Sequence, residues 1–189
     1  MRKIAAFIMT SLDGMFDGPT PWDLDWHHVD EEFNDFSTEQ LDASGGLIFG
    51  RNTYQGMAQY WPTPQSEADS QAVASRMNSM PKFVISRTLD KPDPEWNNTQ
   101  LIRRDPAGEL AQLKQQPGRE LLVLGSARLT ASLMQMQLLD ELRIIVNPVV
   151  LGKGRSFYEA GTQRSELKLL GNRTFKNGNV LLTYQPLPS

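Results

Sequence analysis

Three short segments gather what a phosphorylated ligand needs from a protein. They are Gly50-Arg51-Asn52-Thr53-Tyr54, Ser86-Arg87-Thr88 and Gly125-Ser126-Ala127-Arg128, and each follows a short apolar run. Two open with glycine, which lets backbone approach a ligand closely, and all three offer arginine and hydroxyls. Backbone N–H groups at a helix start favour a pyrophosphate, while guanidinium and hydroxyl groups suit an outer phosphate. Taken singly, each is also an ordinary strand-to-helix turn with a solvated arginine. Three on one sheet point to a site. Other signatures fail. Gly152-Lys153-Gly154-Arg155-Ser156-Phe157 lacks the last glycine of G-x-G-x-x-G, and neither a P-loop nor a G-x-S-x-G elbow occurs.

A second group of polar residues is less specific. His27 and His28 sit among Asp23, Asp25, Asp30, Glu31 and Glu32, which reads as a solvated acidic helix start rather than a metal site. No metal is expected. The absence of cysteine excludes disulfides, thiolate zinc sites, Fe–S clusters and cysteine nucleophiles together. Trp22 and Trp26 suit either a stacking surface for a flat heterocycle or a hydrophobic lid over the first helix. Asp13, in Ser11-Leu12-Asp13-Gly14, reads as a turn aspartate or as an acid bordering the cleft.

The elements that must carry these groups can be read from periodicity. Short β-branched, apolar runs bounded by turn residues predict strands near 3–9, 46–50, 82–86, 99–102, 121–125, 141–150, 166–175 and 179–185. Val29, Phe33, Phe36 and Leu41 predict a first helix, and Val73, Met77 and Met80 a second, begun by the capping-box pattern Ser66-Glu67-Ala68-Asp69. Asp105-Pro106 opens a third, and a fourth runs from about 127 to 136. Alternation of strand and helix up to residue 140 implies a mostly parallel sheet. The strands that follow imply antiparallel pairing, ending in a type I′ hairpin at Asn177-Gly178. The expectation is one α/β sandwich domain spanning 1–189.

Composition narrows the partners. The 189 residues are 39% hydrophobic and 22% charged with a net charge of -3, so no basic field exists to hold nucleic acid. No run approaches the roughly 20 apolar residues of a membrane span. Residues 1–9 read as a first strand rather than a signal segment, which makes the cytoplasm the expected location. The apolar strand Arg143-Ile144-Ile145-Val146, with Leu138 and Leu139 before it, lies where no later helix follows, so a second subunit is expected to cover it.

The ordered set of motifs resembles the dihydrofolate reductase-like superfamily, and more closely its branch containing the reductase domain of the bacterial riboflavin-pathway deaminase/reductase. The match is carried by Ser11-Leu12-Asp13-Gly14, Asp25-Trp26, Gly50-Arg51-Asn52-Thr53-Tyr54, Phe83-Val84-Ile85-Ser86-Arg87, Gly125-Ser126-Ala127-Arg128-Leu129 and Asn147 through Gly154. The resemblance implies a three-layer sandwich around a mixed, mostly parallel eight-stranded sheet, NADPH as hydride donor, and a homodimer. It places Gly50, Arg51 and Thr53 on the cofactor phosphates, and Ser86 and Arg87 beside the adenosine ribose. Gly125, Ser126, Ala127, Arg128 and Leu129 would wrap the pyrophosphate, with Ser126 standing where many members have a second glycine. Trp26 and Gly152 fall on the substrate side. Asp25 and then Asp13 are the acids expected to supply a proton, although His27 and Asp30 also fit the position of the family's helix carboxylate. The implied function is an NADPH-dependent reductase of a pyrimidine-, pterin- or flavin-like heterocycle, such as a 5-amino-6-(5-phosphoribosylamino)uracil reductase of riboflavin biosynthesis. The alternatives are a dihydrofolate reductase proper, or a non-catalytic nucleotide- or flavin-binding protein.

Overall fold

The computed structural model describes residues 1–158 and 163–188. An eight-stranded sheet runs through the centre. Its strands, in chain order, are β1 (Ile4–Ser11), β3 (Ser44–Gly50), β4 (Lys82–Ile85), β5 (Thr99–Ile102), β6 (Glu120–Leu124), β7 (Glu141–Asn147), β9 (Leu167–Thr174) and β10 (Val180–Pro186). Their order across the sheet is β5-β4-β3-β6-β1-β7-β10-β9, parallel as far as β7 and antiparallel through β10 and β9. A separate pair joins β2 (Met15–Asp17) to β8 (Arg155–Ser156). The expected fold class holds: α/β, mixed, mostly parallel, with antiparallel strands at the C-terminal end.

Alternation along β1 sends Ala5 and Phe7 to one face and Ile4, Ala6 and Ile8 to the other. The first face is covered by α1 (Glu31–Ala43), α2 (Arg51–Tyr60) and α3 (Pro64–Ser79), through Phe33, Phe36, Leu41, Tyr54, Val73 and Met77. The second is covered by α4 (Pro106–Gln115) and α5 (Ala127–Gln135), through Leu110, Leu113 and Leu133. Phe7 touches Phe36, and Phe36 meets Phe175 edge-on at 5.5 Å, so the first helix also locks the end of β9. At the amino ends of the strands Arg143 binds both Glu120 oxygens, at 2.7 and 3.0 Å, and Glu141 at 2.7 Å. That stitches β7 to β6 across β1 and leaves the carboxyl ends free for a site.

Several local expectations are corrected. The second predicted helix starts at Pro64, and Ser66 is not its cap; Ser66 is buried inside it, donating to Trp61 O and Thr63 O. Proline at the first turn sets the start instead. The hairpin is not type I′, since Gly178 has φ 89 while Asn177 does not enter the left-handed region. The Gly178 N–H donates to Phe175 O and the Phe175 N–H to Asn179 O, making a three-residue connection with glycine in the left-handed place. Strand β7 stops at Asn147 because Pro148 has no N–H to continue the ladder.

Lys82 opens β4 and is wholly buried. Its ammonium donates to the carbonyls of Asn78, Met80 and Asn97 at 2.9 to 3.0 Å and lies 4.8 Å from the Trp96 ring centroid. Burial lowers its pKa from 10.5 to about 8. Between those values the unfolded chain binds more protons than the folded one, so stability should rise with pH from about 8 to 10.5. Urea unfolding across that range should show the rise in the native protein relative to Lys82→Met, which lacks the group. An unchanged difference between the two would refute the assignment.

Candidate active site

Two helices begin side by side at the carboxyl edge of the sheet. Strands β3 and β6 are parallel neighbours, so the turn into α2 at Gly50 and the turn into α5 at Gly125-Ser126 lie together. Gly125 has φ 58, a conformation that only glycine takes readily, and its N–H donates to Phe7 O at 3.1 Å. Ser126 Oγ accepts from the Gly50 N–H at 3.1 Å and donates to Leu124 O at 3.2 Å. Neither helix start has a side-chain cap. By contrast, Asp30 caps α1 by accepting from Phe33 N, and Asp105 caps α4 by accepting from Gly108 N. Uncapped first-turn N–H groups and the positive ends of helix dipoles favour an anion.

Both starts open on a cleft of about 890 Å³. Its wall includes Gly50, Arg51, Thr53, Gly125, Ser126, Ala127, Arg128 and Leu129, so eight residues expected to meet the cofactor share one surface. Ser86 and Arg87 lie at the next strand end, outside this wall. Ser86 Oγ accepts from Thr88 N and Leu89 N within its own turn, while Arg87 is exposed. Arg51 links the two places, donating to Thr88 Oγ1 at 2.6 Å and to Gln55 at 3.2 Å. Thr53 Oγ1 is 3.5 Å from Gly125 O, joining α2 to the other turn.

The substrate side is arranged differently from what the sequence suggests. Neither carboxylate expected to supply the proton lines the cleft: Asp25 and Asp13 are both exposed. Asp13 accepts from Ser11 Oγ at 2.6 Å, Gly152 N at 2.7 Å and Leu151 N at 3.1 Å. These bonds, led by that of Ser11, hold its carboxyl at about 2, so it is ionised at neutral pH and ties down the 151–152 turn. Gly152 is thus Asp13's partner, and it too lies off the cleft wall. Trp26 donates from its indole to Asp23 O and stands edge-on to His27, away from the wall; Trp22 lines it instead. The indole of Trp22 fills the space beside Gly56, where any Cβ would come within 1.8 Å of it.

Sequence reasoning missed Asp17. It is 2% exposed, lines the cleft with His27 and Arg155, and pairs with the Arg155 guanidinium. No local pattern marks it, because Arg155 is 138 positions away. Among the described residues no three histidine, aspartate or glutamate side chains gather as metal ligands, and no helix is long and apolar enough to cross a membrane.

Comparison with known proteins agrees with this architecture. The family model described as the RibD C-terminal domain matches residues 2–181. The chain belongs to that family. It is 30% identical over 185 residues to the uncharacterized protein YyaP of Bacillus subtilis (strain 168), covering 97% of this chain and 94% of that protein. Among solved structures it resembles a putative riboflavin biosynthesis protein from Shewanella sp. PV-4, with TM-score 0.73, 22% identity, and coverage of 98% and 99%. It also shares its fold with the dihydrofolate reductase of Enterococcus faecalis complexed with NADP(H), with TM-score 0.60, 16% identity, and coverage of 98% and 97%.

Asp13 offers a test of its holding role. Its folded pKa of about 2 lies below the ordinary 3.8, so its stabilisation is complete above that value and lost as pH falls toward 2. Asp13→Asn should melt at a lower temperature than the native protein at pH 7. The gap should close as pH falls from about 5 to 2. Thermal melts followed by circular dichroism at these pH values would check both statements.

Proposed function

We propose that the protein is an NADPH-dependent oxidoreductase that reduces a pyrimidine-, pterin- or flavin-like heterocycle. A 5-amino-6-(5-phosphoribosylamino)uracil of the riboflavin pathway is the first substrate to try. The carrying observation is the pair of uncapped helix starts from neighbouring parallel strands, both opening on one cleft. Membership of the RibD C-terminal domain family supports the reaction class. So does the shared fold with a dihydrofolate reductase complexed with NADP(H).

These residues fit such a cofactor. Gly50 and Gly125 keep side chains out of the space before the two helix starts, and the first-turn N–H groups of α2 and α5 would hold the pyrophosphate. Arg51, held toward the 86–88 turn by Thr88, and Arg87 on that turn would take the 2′-phosphate. The bound cofactor supplies a hydride. The chain's task is to orient the heterocycle and exclude water, with Trp22 and Phe16 as apolar walls of the cleft.

A second subunit belongs to this reading. A groove over β1, β7 and β10, lined by Ile144, Val146, Tyr158, Leu182 and Tyr184, lies on a part of the sheet distant from α4 in strand order. Leu12, Tyr158, Leu169 and Leu170 are exposed around it or on the edge strand β9. Burying such apolar surface favours association at about 25 cal/mol per Å². Light scattering at micromolar concentration should give twice the 21.3 kDa chain mass. A monomeric mass would refute the dimer.

The cofactor reading is checked by calorimetry. NADPH should bind at least about tenfold more tightly than NADH, equivalent to roughly 1.4 kcal/mol. From sequence alone Gly125→Val is the natural probe of the phosphate site, but at φ 58 a β-branched residue would strain the backbone. Gly50 is the cleaner position: its φ is -79 and an added Cβ meets nothing closer than Ser126 Oγ at 3.8 Å. Gly50→Val should keep the circular dichroism spectrum and lose NADPH affinity by tenfold or more. Equal affinities for the two cofactors, or a Gly50→Val variant that binds NADPH normally, would place the phosphates elsewhere.

A further inference from the structure

Two polar atoms buried in the cleft wall have no hydrogen-bond partner among the described residues: Asp17 Oδ1 and His27 Nε2. The other oxygen of Asp17 is occupied, by the Arg155 guanidinium and by the Trp22 N–H at 3.4 Å. Keeping a carboxylate oxygen buried without a donor costs free energy, which a donor brought into the cleft by a ligand would recover. Both residues are held where they are. Asp17 ends β2, which pairs with β8, and Gly154 permits the approach, since a Cβ there would stand 2.4 Å from Asp17 O. The His27 N–H donates to Leu24 O at 3.0 Å, and its ring stands edge-on to Trp26 at 4.3 Å. The next residue is stapled from three sides. The His28 N–H donates to Asn147 Oδ1, and His28 O accepts from the side-chain amides of Asn177 and Asn179.

We propose that Asp17 Oδ1 and His27 Nε2 form the recognition pair for a ring N–H and the polar atom beside it on a flat lactam-type heterocycle. The inference rests on the reading of this cleft as a reductase site and names the edge of the substrate that it holds. Asp17 accepts the ring N–H. His27 Nε2, according to its tautomer, donates to a carbonyl or accepts a second N–H. Burial brings the His27 pKa down from 6.5 to about 4, against the opposing pull of the Asp17 charge, so the imidazole is neutral at pH 7. An uncharged ring therefore meets no cation at this atom. Arg155, with its guanidinium carbon 5.0 Å from the Phe16 ring centroid, balances the carboxylate through its other oxygen.

The deciding comparison is between lumazine, a pteridine-2,4-dione with ring N–H groups, and 1,3-dimethyllumazine, in which methyl groups replace the N–H hydrogens of the dione ring. Calorimetric titration of the native protein at pH 7 should show lumazine binding at least tenfold more tightly. Asp17→Asn should remove that preference. The amide oxygen would stay with Arg155 and the Trp22 N–H, turning the NH₂ toward the ligand, donor against donor. His27→Phe should weaken lumazine binding at least fivefold. In both variants the dissociation constant for NADPH should stay within twofold. Equal affinity of the native protein for the two pteridines, or no binding of lumazine, overturns the proposal without recourse to a variant. A preference that survives in folded Asp17→Asn also overturns it. A native protein that prefers lumazine but does not bind NADPH would support the recognition pair and overturn the reductase reading.

Discussion

Ser126 Oγ accepts the Gly50 amide and donates to the Leu124 carbonyl, so one hydroxyl ties the end of β3 to the end of β6. Parallel pairing brings the strand ends within one strand spacing, and this hydroxyl joins the two helix starts directly, beside a turn that Gly125 makes at φ 58. With the hydroxyl engaged between the strands, Ser126 itself is 5% exposed. A serine is thereby accommodated where the family resemblance implies a second glycine. The opposite edge of the sheet is fixed just as firmly by Arg143 and its two glutamates, which confines adaptation to the carboxyl ends.

The central strands were legible in the sequence because they cross a core covered on both faces. Leu121-Leu122-Val123-Leu124 in β6 is apolar throughout, with the first three residues fully buried, and no turn residue interrupts it. Helix α2 was not legible. Only Tyr54 and Ala58 of its ten residues are buried, so the stripe they make with the partly buried Met57 is short and set among polar residues, and no capping side chain announces its start. That same polarity suits it to border a cleft. Strands β2 and β8 are three and two residues long, too short for any period to register. They nevertheless place Asp17.

The proposed phosphate side of the cleft was readable for a physical reason that the proposed substrate side lacks. Glycine at a strand end and a helix immediately after it are local patterns, and backbone N–H groups act wherever the backbone is exposed. The proposed recognition pair, Asp17 and His27, is positioned by tertiary contacts: Arg155 to Asp17, and Asn147, Asn177 and Asn179 to the loop that carries His27. Asp25 looked suitable because it stands beside a tryptophan, yet the turn at 23–27 leaves it exposed and brings Trp22 to the wall instead. Trp22 holds φ 65, a costly conformation for a bulky residue, and its indole lies against Gly56 where no other residue would leave room.

The cleft is polar in two opposite senses. The starts of α2 and α5 present N–H groups and the positive ends of helix dipoles, which favour negative charge. Asp17 presents an unpaired carboxylate oxygen, which favours an N–H and repels a phosphate. Each group therefore rejects what the other accepts, and the rejection is stronger in a low-dielectric wall than it would be in water. Discrimination of this kind does not require tight binding at either end. A phosphate reaching Asp17 would have to compete with its carboxylate for Arg155, while a heterocycle before the helix starts would leave first-turn N–H groups without an anion. On this reading the arrangement would fix which part of a ligand enters where, with residues from β2, β3, β6 and the loop before α1, elements brought together only by the completed fold.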